Sequence, residues 1–102
     1  MKHLFTSVFA FLLVQTAWSQ SLLKSIVHDG IQRDYRIYVP SIYDGSTEVP
    51  LVFNLHGYGS NAGQQEFYGS FNAIDDTANF VLVIPDGTTD ASNTTFWNAF
   101  GV

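Results

Sequence analysis

No cysteine occurs in these 102 residues, and only four lysines and arginines do. Small exported domains commonly lean on disulfides, so without them an apolar core has to stabilise this chain. With no cysteine after the apolar N-terminal run, a lipid-anchored bacterial lipoprotein is excluded as well. The four cations face nine carboxylates, for a formal net charge of −5. No basic stripe exists to meet a phosphate backbone, which excludes nucleic acid as an expected partner. A membrane-spanning run is missing too. The apolar stretch Leu4 to Val14, broken only by Thr6 and Ser7, is too short for a bilayer helix, which needs about 20 residues.

That stretch fits a different purpose. Met1-Lys2-His3 is a short basic start, and Ala17-Trp18-Ser19 puts small residues at the two positions a signal peptidase reads. We expect residues 1–19 to be a signal peptide cleaved after Ser19. The product is then exported and soluble, extracellular or periplasmic, with no membrane attachment after cleavage. Residues 20–102 retain Lys24, Arg33 and Arg36 against all nine carboxylates, a charge of about −6. A domain of this size buries only about 60% of the surface of its unfolded chain and is marginal alone.

Leu22 to Val27 reads as a short strand, followed by a turn at His28-Asp29-Gly30. Gln32 to Val39 alternates, with Tyr35, Ile37 and Val39 on one face and Asp34, Arg36 and Tyr38 on the other. This is the pattern of a half-exposed strand, the second arm of an antiparallel pair. Pro40 ends it, and Asp44-Gly45 is the turn signal of the polar connection to Pro50. Leu51 to Leu55 and Phe80 to Ile84 are nearly continuous apolar runs, the pattern of parallel strands buried on both faces. The residues between them suffice for a crossover. Ala73, Ile74, Thr77 and Ala78 mark one helix face within Phe71 to Asn79, with Ser70 or Asn72 as its cap. Asp75 and Asp76 are expected as solvated surface charges rather than a catalytic pair. Asp86 to Thr95 is a polar loop, closing on Phe96-Trp97-Asn98. Neither repeats nor linkers occur. We expect an α/β fold in one domain, of which residues 20–102 are an incomplete N-terminal portion, because two buried strands without further cover would expose an apolar edge.

The chemistry centres on Leu51-Val52-Phe53-Asn54-Leu55-His56-Gly57-Tyr58-Gly59-Ser60, a strand running into a glycine-rich turn ahead of helix-compatible sequence. Such a turn aims backbone N–H groups beyond the sheet's carboxyl edge. A dinucleotide fingerprint needs G-x-G-x-x-G; Gly57, Gly59 and Gly63 are one residue too long, although Asp86 follows the next strand. A nucleophile elbow needs G-x-S-x-G, and in Gly59 to Gly63 the serine, Ser60, comes one place early. Ser60 is more simply a cap or turn residue. In the third reading the turn is an oxyanion loop of the α/β-hydrolase kind, which begins His-Gly after the third strand. Gly57 would let the backbone turn and leave the N–H of Tyr58 as the donor. His56 would shape the loop by hydrogen bonds. The triad histidine comes last in that fold, so neither His28 nor His56 fills it.

Arg36-Ile37-Tyr38-Val39-Pro40, Val49 to Gly59, Phe71-Asn72, Val83-Ile84-Pro85-Asp86-Gly87 and Trp97-Asn98 together resemble the start of the exported polyhydroxybutyrate depolymerase and feruloyl esterase family. The resemblance spans about Gln32 to Gly101. It implies the N-terminal part of an α/β-hydrolase fold: an antiparallel hairpin leading into parallel strands with a crossover helix. It also implies a serine carboxylic-ester hydrolase acting on polymeric or aryl esters, in polyesters or in plant polysaccharides, with no metal or organic cofactor. The family's serine, acid and histidine follow later and are not in this chain, which alone is expected to be inactive. What carries over is Tyr58 as backbone donor, His56, Gly57 and Gly59 as loop support, and Asp86 and Trp97 as a candidate cleft wall. The family often has cysteine in the turn and after the tryptophan; this chain has Tyr58 and none. For Trp97, aromatic packing is the commoner use. Asn93-Thr94-Thr95 is formally a glycosylation acceptor and here a chance match. Two alternatives stand beside this reading. One is a secreted carbohydrate- or polymer-binding module that stacks sugars on Tyr35, Tyr38, Tyr43, Tyr58 and Trp97; the other is a family member that binds ester polymers without catalysis.

Overall fold

A computed structural model describes residues 20–98; the expected signal peptide lies outside them. Strands β1 (Gln20–His28) and β2 (Ile31–Val39) form a hairpin in register from Gln20 opposite Val39 to His28 opposite Ile31. Its turn has Asp29 at φ 53° and Gly30 at φ 70°. Two left-handed central residues match the right-handed twist of the flanking strands, which is why Asp-Gly marks this place in the sequence. β2 then pairs antiparallel with β4 (Val81–Pro85), and β4 pairs parallel with β3 (Leu51–Phe53). The four-stranded sheet has the order β1-β2-β4-β3. The described residues thus form an α/β arrangement with a mixed sheet and two helices.

The crossover from β3 to β4 carries α1 (Ala62–Gly69) and α2 (Phe71–Ala78). Asn61, in extended conformation, caps α1 by accepting the Gln64 N–H at 2.9 Å, so Asn61 and not Ser60 is the cap. Ser70, at φ 51°, ends α1 and starts α2. Its hydroxyl turns back to the Phe67 carbonyl and makes no cap bond to α2. Both helices pack on β4, and α1 also meets β2. Between helices and sheet lies the core: Tyr38, Ala62, Phe80, Leu82 and Ile84, with Val52 packed against it. Leu82 and Ile84 are fully buried, each stabilising the fold by roughly 1.5–3 kcal/mol. Glu66 ties this layer together, accepting from Ser21 of β1 and Asn72 of α2 and lying 3.5 Å from Arg36 of β2.

Several expectations are corrected here. β3 and β4 are not covered on both faces: Leu51 and Phe53 are exposed, because both helices lie on the side of Leu82 and Ile84. In β2, where the alternation separates two faces without saying which is covered, the buried residue is Tyr38, opposite the face of Tyr35, Ile37 and Val39. Tyr38 belongs to the face the helices cover, and its hydroxyl donates to Asp76 at 2.8 Å. Asp75 is wholly buried and not a surface charge. It accepts the Phe80 N–H at 3.1 Å, filling a donor the chain leaves open as it enters β4. Inward placement of Asn72, Asp75, Asp76 and Asn79 turns Ala73, Ile74, Thr77 and Ala78 to solvent, opposite to the apolar stripe expected from their spacing. The polar loop from Asp86 also contains two short strands, β5 (Thr88–Thr89) and β6 (Thr95–Phe96), paired antiparallel.

Candidate functional site

Parallel neighbours end at the same edge of a sheet, so the loops leaving β3 and β4 meet. The first loop begins as Asn54, whose N–H still donates to Val83 O at 2.9 Å, and reaches the buried side chain of His56. Gly87 N–H donates to His56 Nε2 at 2.9 Å. That nitrogen therefore carries no proton, and Nδ1–H donates to the Gly57 carbonyl at 2.7 Å. Trp97 lies against the ring at a centroid distance of 4.8 Å and donates from Nε1 to the His56 carbonyl at 2.8 Å. With ring and carbonyl engaged on three sides, His56 holds the backbone of its loop in place.

The turn itself runs from Gly57 to Ser60, closed by Ser60 N–H donating to Gly57 O at 3.1 Å. Gly59, third in the turn, has φ 77°, the left-handed value a type II turn demands there. Gly57 has no left-handed φ, and a Cβ placed on it would meet only open space. The conformational requirement therefore sits on Gly59 and not on Gly57, where the sequence suggested it. Gly59 N–H donates to Thr95 O at 2.8 Å, and the Thr95 hydroxyl donates to Ser60 O. Among the described residues the Tyr58 N–H meets no acceptor, and the tyrosine side chain is 72% exposed. Its hydroxyl donates to Asp90 Oδ2 at 2.9 Å.

Asp86 directs its carboxylate at the start of α1, where Oδ1 accepts the Ala62 N–H at 2.7 Å. A carboxylate at a helix N-terminus satisfies an orphan donor and complements the helix dipole. Asp86 and Trp97 also line a cavity of about 510 Å³ that opens on the uncovered sheet face beside Tyr35, Phe53 and Phe96. The structure thus brings His56, Gly57, Tyr58, Gly59, Asp86 and Trp97 into one neighbourhood. Among the described residues Ser60 has no base beside it: its hydroxyl donates to Gln64.

Three further residues, to which the sequence assigns no role in the site, shape this neighbourhood. A Cβ on Gly87 would collide with the Phe96 carbonyl and lie 3.3 Å from His56 Cε1. Thr95 supplies two of the bonds that hold the turn. Asp90 folds the hairpin tip, with Oδ1 accepting Ser92 N–H at 2.8 Å and Thr94 N–H at 3.0 Å. These donors, Thr94 first and the Tyr58 hydroxyl next, hold its carboxyl below the usual carboxylate range. The signal for Asp90 is the Asp-Ala-Ser-Asn run, a side-chain turn motif. Among the described residues no group of three His, Asp or Glu side chains could hold a metal ion, and no helix is long and apolar enough to cross a membrane. No family model matches the chain, and no curated protein matches it.

Proposed function

We propose that this chain is the N-terminal portion of an α/β-hydrolase domain, exported, whose activity is carboxylic-ester hydrolysis on polymeric or aryl esters. The observation that carries this reading is the Tyr58 N–H, which meets no acceptor among the described residues and sits in a hydrogen-bonded turn between β3 and α1. In α/β-hydrolases one oxyanion donor comes from the loop after the third strand, the other from the residue following the nucleophile. A donor of this kind contributes roughly 2.7–4 kcal/mol to transition-state stabilisation, provided it is held in place before the charge develops. The mixed sheet supports the same reading: an antiparallel hairpin passes into a parallel pair through a helical crossover. So does its open face, where Leu51 and Phe53 stand exposed beside Ile37 and Val83 in the manner of a sheet awaiting a second layer.

In this role the turn binds the carbonyl oxygen of the ester as it becomes an anion, and His56 acts on the loop's shape alone. The serine, its base and the orienting acid belong to sequence beyond Val102. One donor without a nucleophile provides no covalent route, so the chain alone turns over no nitrophenyl ester. A chain extended past Val102 in the same reading frame is expected to do so through a serine in G-x-S-x-G. The proposal fails if no such motif follows, or if replacing that serine by alanine leaves turnover intact.

A further inference from the structure

We propose that Asp90 is a positioning residue for the anion-binding turn, acting through the Tyr58 hydroxyl. The inference rests on the ester-hydrolase reading for what the Tyr58 amide binds; the tether stands without it.

The geometry is that of a clamp with one carboxylate at its centre. Tyr58 and Asp90 are 32 residues apart and joined by a 2.9 Å bond from phenol to Oδ2. Asp90 Oδ1 meanwhile accepts the Ser92 and Thr94 amides, and its backbone pairs with Thr94 and Asn93. The oxygen that grips Tyr58 therefore belongs to a side chain that cannot swing away without unfolding the hairpin tip. On the other side of the turn, Gly59 N–H and Ser60 O are fixed by Thr95 of the same hairpin. Among the described residues, Tyr58 alone in the turn meets the hairpin with its own side chain, and that side chain has little packing of its own, the residue being 72% exposed. Without Asp90 its ring would be free to rotate into solvent, and the peptide carrying the N–H would lose its outer restraint. A covalent tie is not available to this chain, which has no cysteine. A hydrogen bond to an ionised carboxylate is about twice as strong as a neutral one, which suits it to the task.

The test compares Tyr58→Phe, Asp90→Ala and the double variant, with Asp90→Asn as the conservative control. Tyr58→Phe keeps the hairpin's own carboxylate turn intact, so it remains informative if Asp90→Ala disturbs folding. In the full chain, amide hydrogen exchange at Gly59 is expected to accelerate about 10-fold in either single variant, as local opening becomes easier. The double variant should add little, since both singles remove the same bond. In the chain extended past Val102, kcat for a nitrophenyl ester should fall about 10- to 100-fold with KM within roughly twofold, the signature of a misplaced transition-state donor. Asp90→Asn should recover part of it. Unchanged exchange in Tyr58→Phe, or single effects that simply multiply, would overturn the tether. Faster exchange with unaltered kcat would overturn the positioning role. If the extended wild type hydrolyses no ester, the hydrolase reading fails, and exchange at Gly59 still decides the tether.

Discussion

The loops that leave β3 and β4 start from the same sheet edge and are built in opposite ways. The loop after β4 is self-sufficient: it doubles back as β5 and β6, closes with Asp90 N–H to Thr94 O, and wraps its tip around the Asp90 carboxylate. Among the described residues, the loop after β3 has only the Gly57 carbonyl, accepting from His56 and Ser60, as an internal anchor. Its ends are held by β4 and α1, where Asn54 N–H meets Val83 O and the Ser60 hydroxyl meets Gln64. Its middle is held by the second loop, through Gly87, Asp90, Thr95 and Trp97. The middle of this loop takes its shape from its neighbour. The parallel pairing of β3 with β4 is what puts the imposing partner within reach.

This contrast can be broken most severely at a glycine. Gly87→Ala drives a methyl group into the Phe96 carbonyl and the His56 ring, and is expected to cost about 3 kcal/mol. Gly57→Ala, in the dependent loop, meets open space and should stay within about 0.5 kcal/mol. Urea unfolding of the two variants measures the difference; equal losses would mean that both loops are built alike. Trp97→Phe keeps the ring against His56 and removes the bond to its carbonyl, with an expected loss of about 1–1.5 kcal/mol. Faster exchange of the Gly87 amide in that variant would show the loss transmitted to the other side of His56.

Acid sharpens the contrast further, through two carboxyl groups with opposite behaviour. Asp90 is held below the ordinary range, so its stabilisation is complete above the unfolded value of about 3.9 and is lost as pH falls through the lower folded value. Gly59 exchange should accelerate in that acid window, and Asp90→Asn should flatten the response. Asp75 is pushed up by burial first, with the Asp76 charge adding and the Phe80 N–H opposing. Its burden is therefore absent at low pH and grows as pH rises from the unfolded value through the raised folded one. Asp75→Asn keeps an oxygen for Phe80 and should stabilise the chain at pH 7 by on the order of 1 kcal/mol, with no gain in acid.

The features legible in the primary structure are those set by near neighbours. Asp29-Gly30 dictates a hairpin turn because both positions take left-handed φ, and the β1–β2 register follows from it. The short apolar runs at Leu51 and Phe80, separated by a helical length, specify parallel strands with a crossover between them. His-Gly-x-Gly after the first run announces a tight turn, and Gly59 provides its left-handed residue. Residue periodicity reports only that two faces differ, not which one is covered. Tyr38 and Asp75 are inside, and Ile74, Leu51 and Phe53 are outside, because two short helices docked on the side of Leu82 and Ile84. Nor can spacing reveal that Gly87 must admit His56, or that Asp90 reaches Tyr58. Those contacts join positions about thirty residues apart, and they exist because the pairing of β3 with β4 sends two distant loops out of the sheet side by side.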